Sequence, residues 1–142
     1  MSIQRPHYLY RCFDADDFLI YIGCTADIKK RMHNHHSSPR KCSRWLTACM
    51  ARHTVSDPYP NLKAARAAEH DAIRVEDPLF NTHERGGGAM FSQVHVARYL
   101  VDRGHLELAT ETLCRCEIET DAWCHVHDKP NAAWLADEEA AS

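Results

Sequence analysis

The chain has 142 residues, 44% of them hydrophobic and 26% charged, with a formal net charge of −3. That length suits one domain, or one small domain with an appendage, and the balance is that of a globular protein with a real core rather than a disordered chain. No apolar run approaches the length of a membrane span and the N-terminus lacks a signal-peptide pattern, so no membrane partner and a cytoplasmic location are expected, with the seven cysteines as thiols or metal ligands rather than disulfides.

Taken in order, His7-Tyr8-Leu9-Tyr10-Arg11-Cys12-Phe13 is aromatic and apolar and reads as a strand. Asp14-Ala15-Asp16-Asp17 reads as a turn and Phe18-Leu19-Ile20-Tyr21-Ile22 as a second strand. A four-residue loop pairs Phe13 with Phe18 and sets Tyr10 directly opposite Tyr21, with Leu9, Phe13, Phe18, Ile20 and Ile22 on the other, core-facing side. Gly23 ends the strand, and a helix from about Ala26 to His36 follows with Thr25 as its expected N-cap. Arg31 and His35 are four apart and share one face of it. A strand closed by glycine, a Thr/Asp helix start and a basic first turn suit a phosphate, because the missing Cβ gives room and the helix terminus offers N–H groups.

Arg44 to Ala51 is apolar enough for a short helix, and His53 to Ser56 suits a third strand. After the turn Asp57-Pro58-Tyr59-Pro60, the residues Leu62, Ala65, Ala68, Ala72 and Ile73 recur at helical spacing, predicting a helix from about Asn61 to Glu76 with Glu69 beside its apolar stripe. Gly86-Gly87-Gly88 reads as a flexible joint dividing 1–85 from a small helical region, 86–142. There Phe91, Val94, Ala97 and Val101 predict a helix ended by Gly104, Leu106, Ala109 and Leu113 another, and Pro130 the start of a last one through Leu135.

Charge is unevenly placed. Residues 1–85 hold 13 Lys and Arg against 10 Asp and Glu, whereas 86–142 hold 4 against 10. Between Ile28 and Ser56 there are seven basic residues, four histidines and no acid, a field that attracts polyanions even when the whole chain is acidic. Lys29, Lys30, Arg40, Lys41 and Arg44 are therefore the candidate nucleic-acid contacts, DNA or RNA, the alternative being a solvated basic face. Phosphodiester hydrolysis needs an activated water, neutralisation of charge on the phosphorus oxygens and help for the leaving oxygen. Tyr10, Tyr21, Arg31, His35 and Glu69 are a sufficient set, although each alone has a structural explanation in strand packing or surface charge.

These residues carry a resemblance. Tyr21-Ile22-Gly23 is the second signature triplet of the GIY-YIG nucleases, and Tyr8-Leu9-Tyr10 stands in place of the first, keeping its tyrosine as Tyr10 with Tyr8 where the family has glycine. Arg31 and His35 resemble the family's helical arginine and histidine, Ala65-x-x-x-Glu69 its metal-binding helix, and Pro78-Leu79-Phe80-Asn81 its closing motif, so that the likeness runs from about His7 to Asn81. It implies an α+β domain, a small three-stranded antiparallel sheet flanked by helices, here with a helical C-terminal appendage. It also implies an endonuclease that hydrolyses one DNA strand per active site. By that likeness Glu69 holds Mg²⁺ or Mn²⁺, Arg31 steadies the phosphate, Tyr10 and Tyr21 position or deprotonate the water, His35 relays a proton and Asn81 orients the site. The hydroxyls of Tyr10 and Tyr21 and the Arg31 guanidinium are then expected to converge on one concave basic surface with the Glu69 carboxylate across it.

A second constellation, Cys114-x-Cys116 with Cys124-His125-x-His127, offers Cys114, Cys116, Cys124 and His127 as zinc ligands, although one residue between the first two cysteines is tighter than the usual spacing and ordinary thiols are the alternative. Two other functions compete with the nuclease: a non-catalytic nucleic-acid-binding module on the same scaffold, and a zinc-stabilised interaction protein resting on the tail alone.

Overall fold

The computed structural model describes residues 4–82 and 89–113, together with the backbone of two short strands beyond them. The chain divides into two units, Met1–Ser92 and Gln93–Ser142. The glycine joint 86–88 and the zinc candidates Cys114, Cys116 and His127 lie outside the described residues, as does the side chain of Cys124.

In the first unit, β1 (Tyr8–Phe13), β2 (Leu19–Thr25) and β3 (Arg52–Val55) form an antiparallel sheet in the order β2-β1-β3. The hairpin register differs from the expected one. Tyr10 pairs with Gly23 and Tyr21 with Cys12, while Phe13 pairs with Leu19, so that β2 bulges at Ile20. The turn moves the partner of Phe13 by one residue, and the bulge at Ile20 adds a second from Cys12 onward. The Asp14 carboxylate is buried and accepts the N–H groups of Asp16 and Phe18, both at 2.9 Å, while the Asp14 N–H donates to the Phe18 carbonyl at 3.0 Å. These bonds draw Phe18 into the loop and leave its side chain 50% exposed instead of in the core. Asp17 takes the left-handed conformation (φ 61°) that a short loop of this kind requires, and its carboxylate meets Arg52 at 2.8 Å. The offset from the expected pairing at Tyr10 is two residues, which preserves the faces: Tyr10, Cys12, Tyr21 and Gly23 share one, and Leu9, Ile22 and Cys24 the other.

Helix α1 (Ile28–Ser37) is capped by Asp27 and not by Thr25, since the Asp27 carboxylate accepts the Lys30 N–H at 3.1 Å. Thr25 serves the preceding turn, its hydroxyl accepting from the Asp27 N–H and donating to the Asp27 carbonyl. Helix α2 (Lys41–Cys49) starts three residues earlier than expected. Helix α3 (Leu62–Glu76) has Asn61 as N-cap and closes at Asp77 in the left-handed region, where Pro78 stops it. Its Ala65 and Ile73 bury against Leu9, Ile22 and Cys24, with Leu19, Tyr59, Ala68 and Ala72 around them. Small alanines let the helix lie close on the sheet, and each buried Leu or Ile contributes about 1.5–3 kcal/mol. On the other face Trp45 of α2 packs on Phe80 with ring centroids 5.5 Å apart.

Helix α4 (Ala89–Asp102), which lies in the second unit from Gln93 onward, ends at Gly104, whose φ of +85° lets its N–H reach the Val101 carbonyl and that of His105 the Leu100 carbonyl, a Schellman closure. Among its described side chains Val96, Ala97 and Leu100 are buried, while Val94 and Val101 of the expected stripe are exposed and Phe91 lies outside the described side chains. Helix α5 (Leu106–Leu113) buries Ala109 and Thr112, whereas Leu106 and Leu113 face solvent. Strands β4 (Trp123–Cys124) and β5 (Lys129–Pro130) pair antiparallel, so Pro130 sits in a strand where a helix start was expected. Among the described residues there is a three-stranded antiparallel sheet with five helices, an α+β fold with a helical C-terminal part, and no helix is long and apolar enough to cross a membrane.

Candidate active site

Gly23 fixes how the site is built. A Cβ placed there would lie 2.4 Å from both Cζ and Oη of Tyr10 and 2.8 Å from its Cε1. The space left by the missing side chain is thus filled by the Tyr10 ring from the neighbouring strand and not by a ligand, a close approach of the kind that strand glycines permit. Tyr10 is buried, and its hydroxyl lies 2.9 Å from Nε2 of His35, itself a buried residue of α1. Tyr21 packs diagonally against both: its ring centroid is 6.0 Å from that of Tyr10 and 5.6 Å from that of His35. Two strands and one helix therefore bring three aromatic rings together, although the two tyrosines do not face each other in register.

The third edge of His35 is held by α2. Its Nδ1 lies 3.1 Å from the buried Ser43 Oγ, and the Thr47 hydroxyl donates to its backbone carbonyl at 3.3 Å. Neither residue was singled out in the sequence, where a hydroxyl in a short, moderately apolar helix looks like surface. The available signal was their spacing of four, which puts both on one face.

Electrostatics follow from this burial. Burial pushes the phenols of Tyr10 and Tyr21 well above their ordinary value; the neighbouring Tyr21 adds to it for Tyr10, Cys42 and Glu69 add to it for Tyr21, and the Arg31 charge opposes it in both. His35 is lowered to about 4 by burial, with Arg31 and His36 adding to it, so its ring is neutral at physiological pH. Arg31 is exposed, and its charge is felt by Tyr10, Tyr21, Cys24 and His35 alike. Glu69 is half-buried on α3; burial and this carboxylate push the Cys24 thiol up to about 11, and the same carboxylate raises Tyr21. Glu69 lies near enough to act on both Tyr21 and Cys24, residues on opposite faces of β2, and Arg31 acts on the same two groups.

Asn81 is buried, and its amide is committed to backbone. Its Oδ1 accepts the Ile22 N–H and its Nδ2 donates to the Ile22 carbonyl, both at 2.9 Å, while the Phe80 N–H donates to the carbonyl of the bulged Ile20 at 2.7 Å. The segment thereby completes the outer edge of β2 between Tyr21 and Gly23.

The basic candidates lie on α1 (Lys29, Lys30) and at the start of α2 (Arg40, Lys41, Arg44), all exposed except the half-buried Lys41. The anion cradle expected at the α1 terminus is instead taken by the chain's own Asp27 carboxylate. As to a metal, no cluster of three His, Cys, Asp or Glu exists among the described residues. One half-buried carboxylate beside a protonated thiol suits a hard ion such as Mg²⁺ or Mn²⁺, which keeps several waters and needs only one or two carboxylates besides substrate phosphates.

The model of the GIY-YIG catalytic domain matches residues 6–85, more than half of the chain. No curated protein and no solved structure matched it. The matched span contains the whole arrangement from Tyr10 to Asn81, and the chain belongs to the GIY-YIG family, whose fold is that of nucleases.

Proposed function

We propose that the first unit is a divalent-metal-dependent endonuclease that hydrolyses phosphodiester bonds in DNA, one strand at each active site. The observation that carries this reading is the hydrogen bond from Tyr10 to His35, with the Tyr21 ring packed against both under the charge of Arg31. Tyr21 keeps part of its surface in solvent while Tyr10 is buried, so Tyr21 is the phenol that meets the attacking water. Phenols pushed up by burial do not rest as phenolates; they pass a proton on. Tyr21 takes the water proton as it gives its own to Tyr10, and Tyr10 gives its own to Nε2 of the neutral His35. Arg31 binds the scissile phosphate and offsets the charge that grows on its oxygens. Glu69 would hold Mg²⁺ or Mn²⁺, which supplies Lewis-acid stabilisation of the phosphorus and leaving oxygens. Lys29, Lys30, Arg40, Lys41 and Arg44 contact the flanking phosphates.

The test is cleavage of supercoiled plasmid with Mg²⁺, with Mn²⁺ and with chelator, wild type beside Glu69→Gln, with a structured RNA as a parallel substrate. Wild type should give nicked circles first, and Glu69→Gln should still bind DNA but cut it slower by orders of magnitude. Cleavage by Glu69→Gln at the wild-type rate would make the carboxylate structural and end the enzyme reading. Binding without cleavage by either protein would leave a binding module on the same scaffold.

A further inference from the structure

His35 is the inner end of the relay, and a neutral imidazole accepts a proton at one nitrogen only. Which nitrogen that is depends on its two partners, the Tyr10 hydroxyl on Nε2 and the Ser43 hydroxyl on Nδ1. A phenol O–H is a strong donor and its oxygen a weak acceptor, whereas an imidazole nitrogen lone pair is a strong acceptor. The Tyr10 bond is therefore best made with Tyr10 donating to Nε2. Nδ1 must then carry the hydrogen, and it points at an aliphatic hydroxyl with two lone pairs. Ser43 is buried, and its only described polar contact is this ring nitrogen. Helix α2 also fixes the His35 main chain, since Thr47 lies one turn beyond Ser43 and donates to the His35 carbonyl. One face of α2 thus holds the histidine at ring and backbone.

We infer that Ser43 is a positioning residue that holds His35 as the Nδ1–H tautomer and leaves the Nε2 lone pair open to the Tyr10 proton, with Thr47 fixing the ring's place from the backbone. The role assigned to His35 rests on the nuclease reading; the tautomer itself does not. Without the Ser43 oxygen, a buried Nδ1–H has no acceptor, a loss avoided by moving the hydrogen to Nε2, which reverses the Tyr10 bond and blocks the relay.

The experiment pairs a spectroscopic readout with a kinetic one. Nitrogen-15 correlation spectra of the His35 ring, recorded without substrate at neutral pH, report which nitrogen is protonated in wild type, Ser43→Ala and Ser43→Thr. The expected result is protonated Nδ1 in wild type and Ser43→Thr, and a shift toward protonated Nε2 in Ser43→Ala. Plasmid cleavage by Ser43→Ala should lose roughly ten- to a hundredfold in kcat at nearly unchanged KM, with recovery in Ser43→Thr. Protonated Nε2 in wild type, or the same tautomer in wild type and Ser43→Ala, would overturn the inference. Because the spectra need no turnover, a wild type that fails to cut would sink the nuclease reading and still leave the tautomer decided.

Discussion

Replacing Gly23 by alanine tests the central contact of the site. The backbone at Gly23 is not left-handed, so alanine is conformationally allowed there, and in the absence of a neighbour it would stabilise the fold by about 0.4–1 kcal/mol through the unfolded chain. The neighbour reverses that sign. The new Cβ would stand 2.4 Å from Cζ and Oη of Tyr10, where ordinary contact begins near 3.4 Å. The ring must retreat by about 1 Å, yet Tyr10 is only 1% exposed and its hydroxyl is tied to His35 at 2.9 Å. Overpacking of this kind costs about 1–3 kcal/mol, and a strained or broken buried hydrogen bond about 1 kcal/mol more, so Gly23→Ala should destabilise by roughly 2–4 kcal/mol. Urea denaturation gives the number, and a double-mutant cycle gives its origin. In a Tyr10→Leu background the shorter side chain does not reach the new methyl group, and Gly23→Ala should become neutral or slightly stabilising. An equal cost in both backgrounds would refute the ring contact as the reason for glycine.

Two further outcomes follow from charge. His35 falls from 6.5 in the unfolded chain to about 4 in the folded one, so the unfolded chain binds the extra proton between those values; stability is full above about pH 6.5 and is lost as pH falls towards 4, by roughly 3 kcal/mol in all. Urea midpoints should therefore drop more steeply over that range in wild type than in His35→Gln, and parallel curves would contradict the burial of a neutral ring. Replacing Lys29, Lys30, Arg40 and Lys41 together by alanine should flatten the salt dependence of DNA affinity by up to about 3–4 in logarithmic slope, while an unchanged slope would make the basic stretch a solvated face.

The parts of the fold that were legible in the sequence are those written in periodicity. The alanine-rich stripe of α3 and the alternating residues of β1 gave elements whose observed bounds fall within a residue or so of the expectation. Register was not legible, because it is set by where a single carboxylate collects N–H groups. Asp14 could equally have opened a four-residue turn; its bonds to Asp16 and Phe18 displace the pairing at Phe13 by one residue, and the bulge at Ile20 displaces it by one more at Tyr10. The buried face of α4 was misjudged for another reason: valines at 94, 96 and 101 are equally apolar, so spacing alone could not rank the faces. At the site, residue types were visible and contacts were not. Nothing in the pattern Tyr21-Ile22-Gly23 says that the glycine is there for Tyr10, or that a serine eight residues after His35 holds its ring.

The six residues singled out for catalysis divide by burial, and the division bears on how any of them can be tested. Tyr10, His35 and Asn81 are buried, and their polar atoms have partners within the protein: Tyr10 with His35, His35 with Ser43, and Asn81 with the backbone of Ile22. Tyr21, Arg31 and Glu69 keep part of their surface in solvent. A substitution in the first group removes a buried partner as well as any chemical role, at about 1–3 kcal/mol for each polar group left unsatisfied, so lost cleavage there cannot by itself be assigned to chemistry. A substitution in the second group leaves the described hydrogen bonds of the sheet and of His35 in place. It is this second group that can separate a nuclease from a binding module on the same frame. The buried group holds the frame: the Tyr10–His35 bond ties β1 to α1, which carries Arg31, and Asn81 ties its segment to β2, which carries Tyr21.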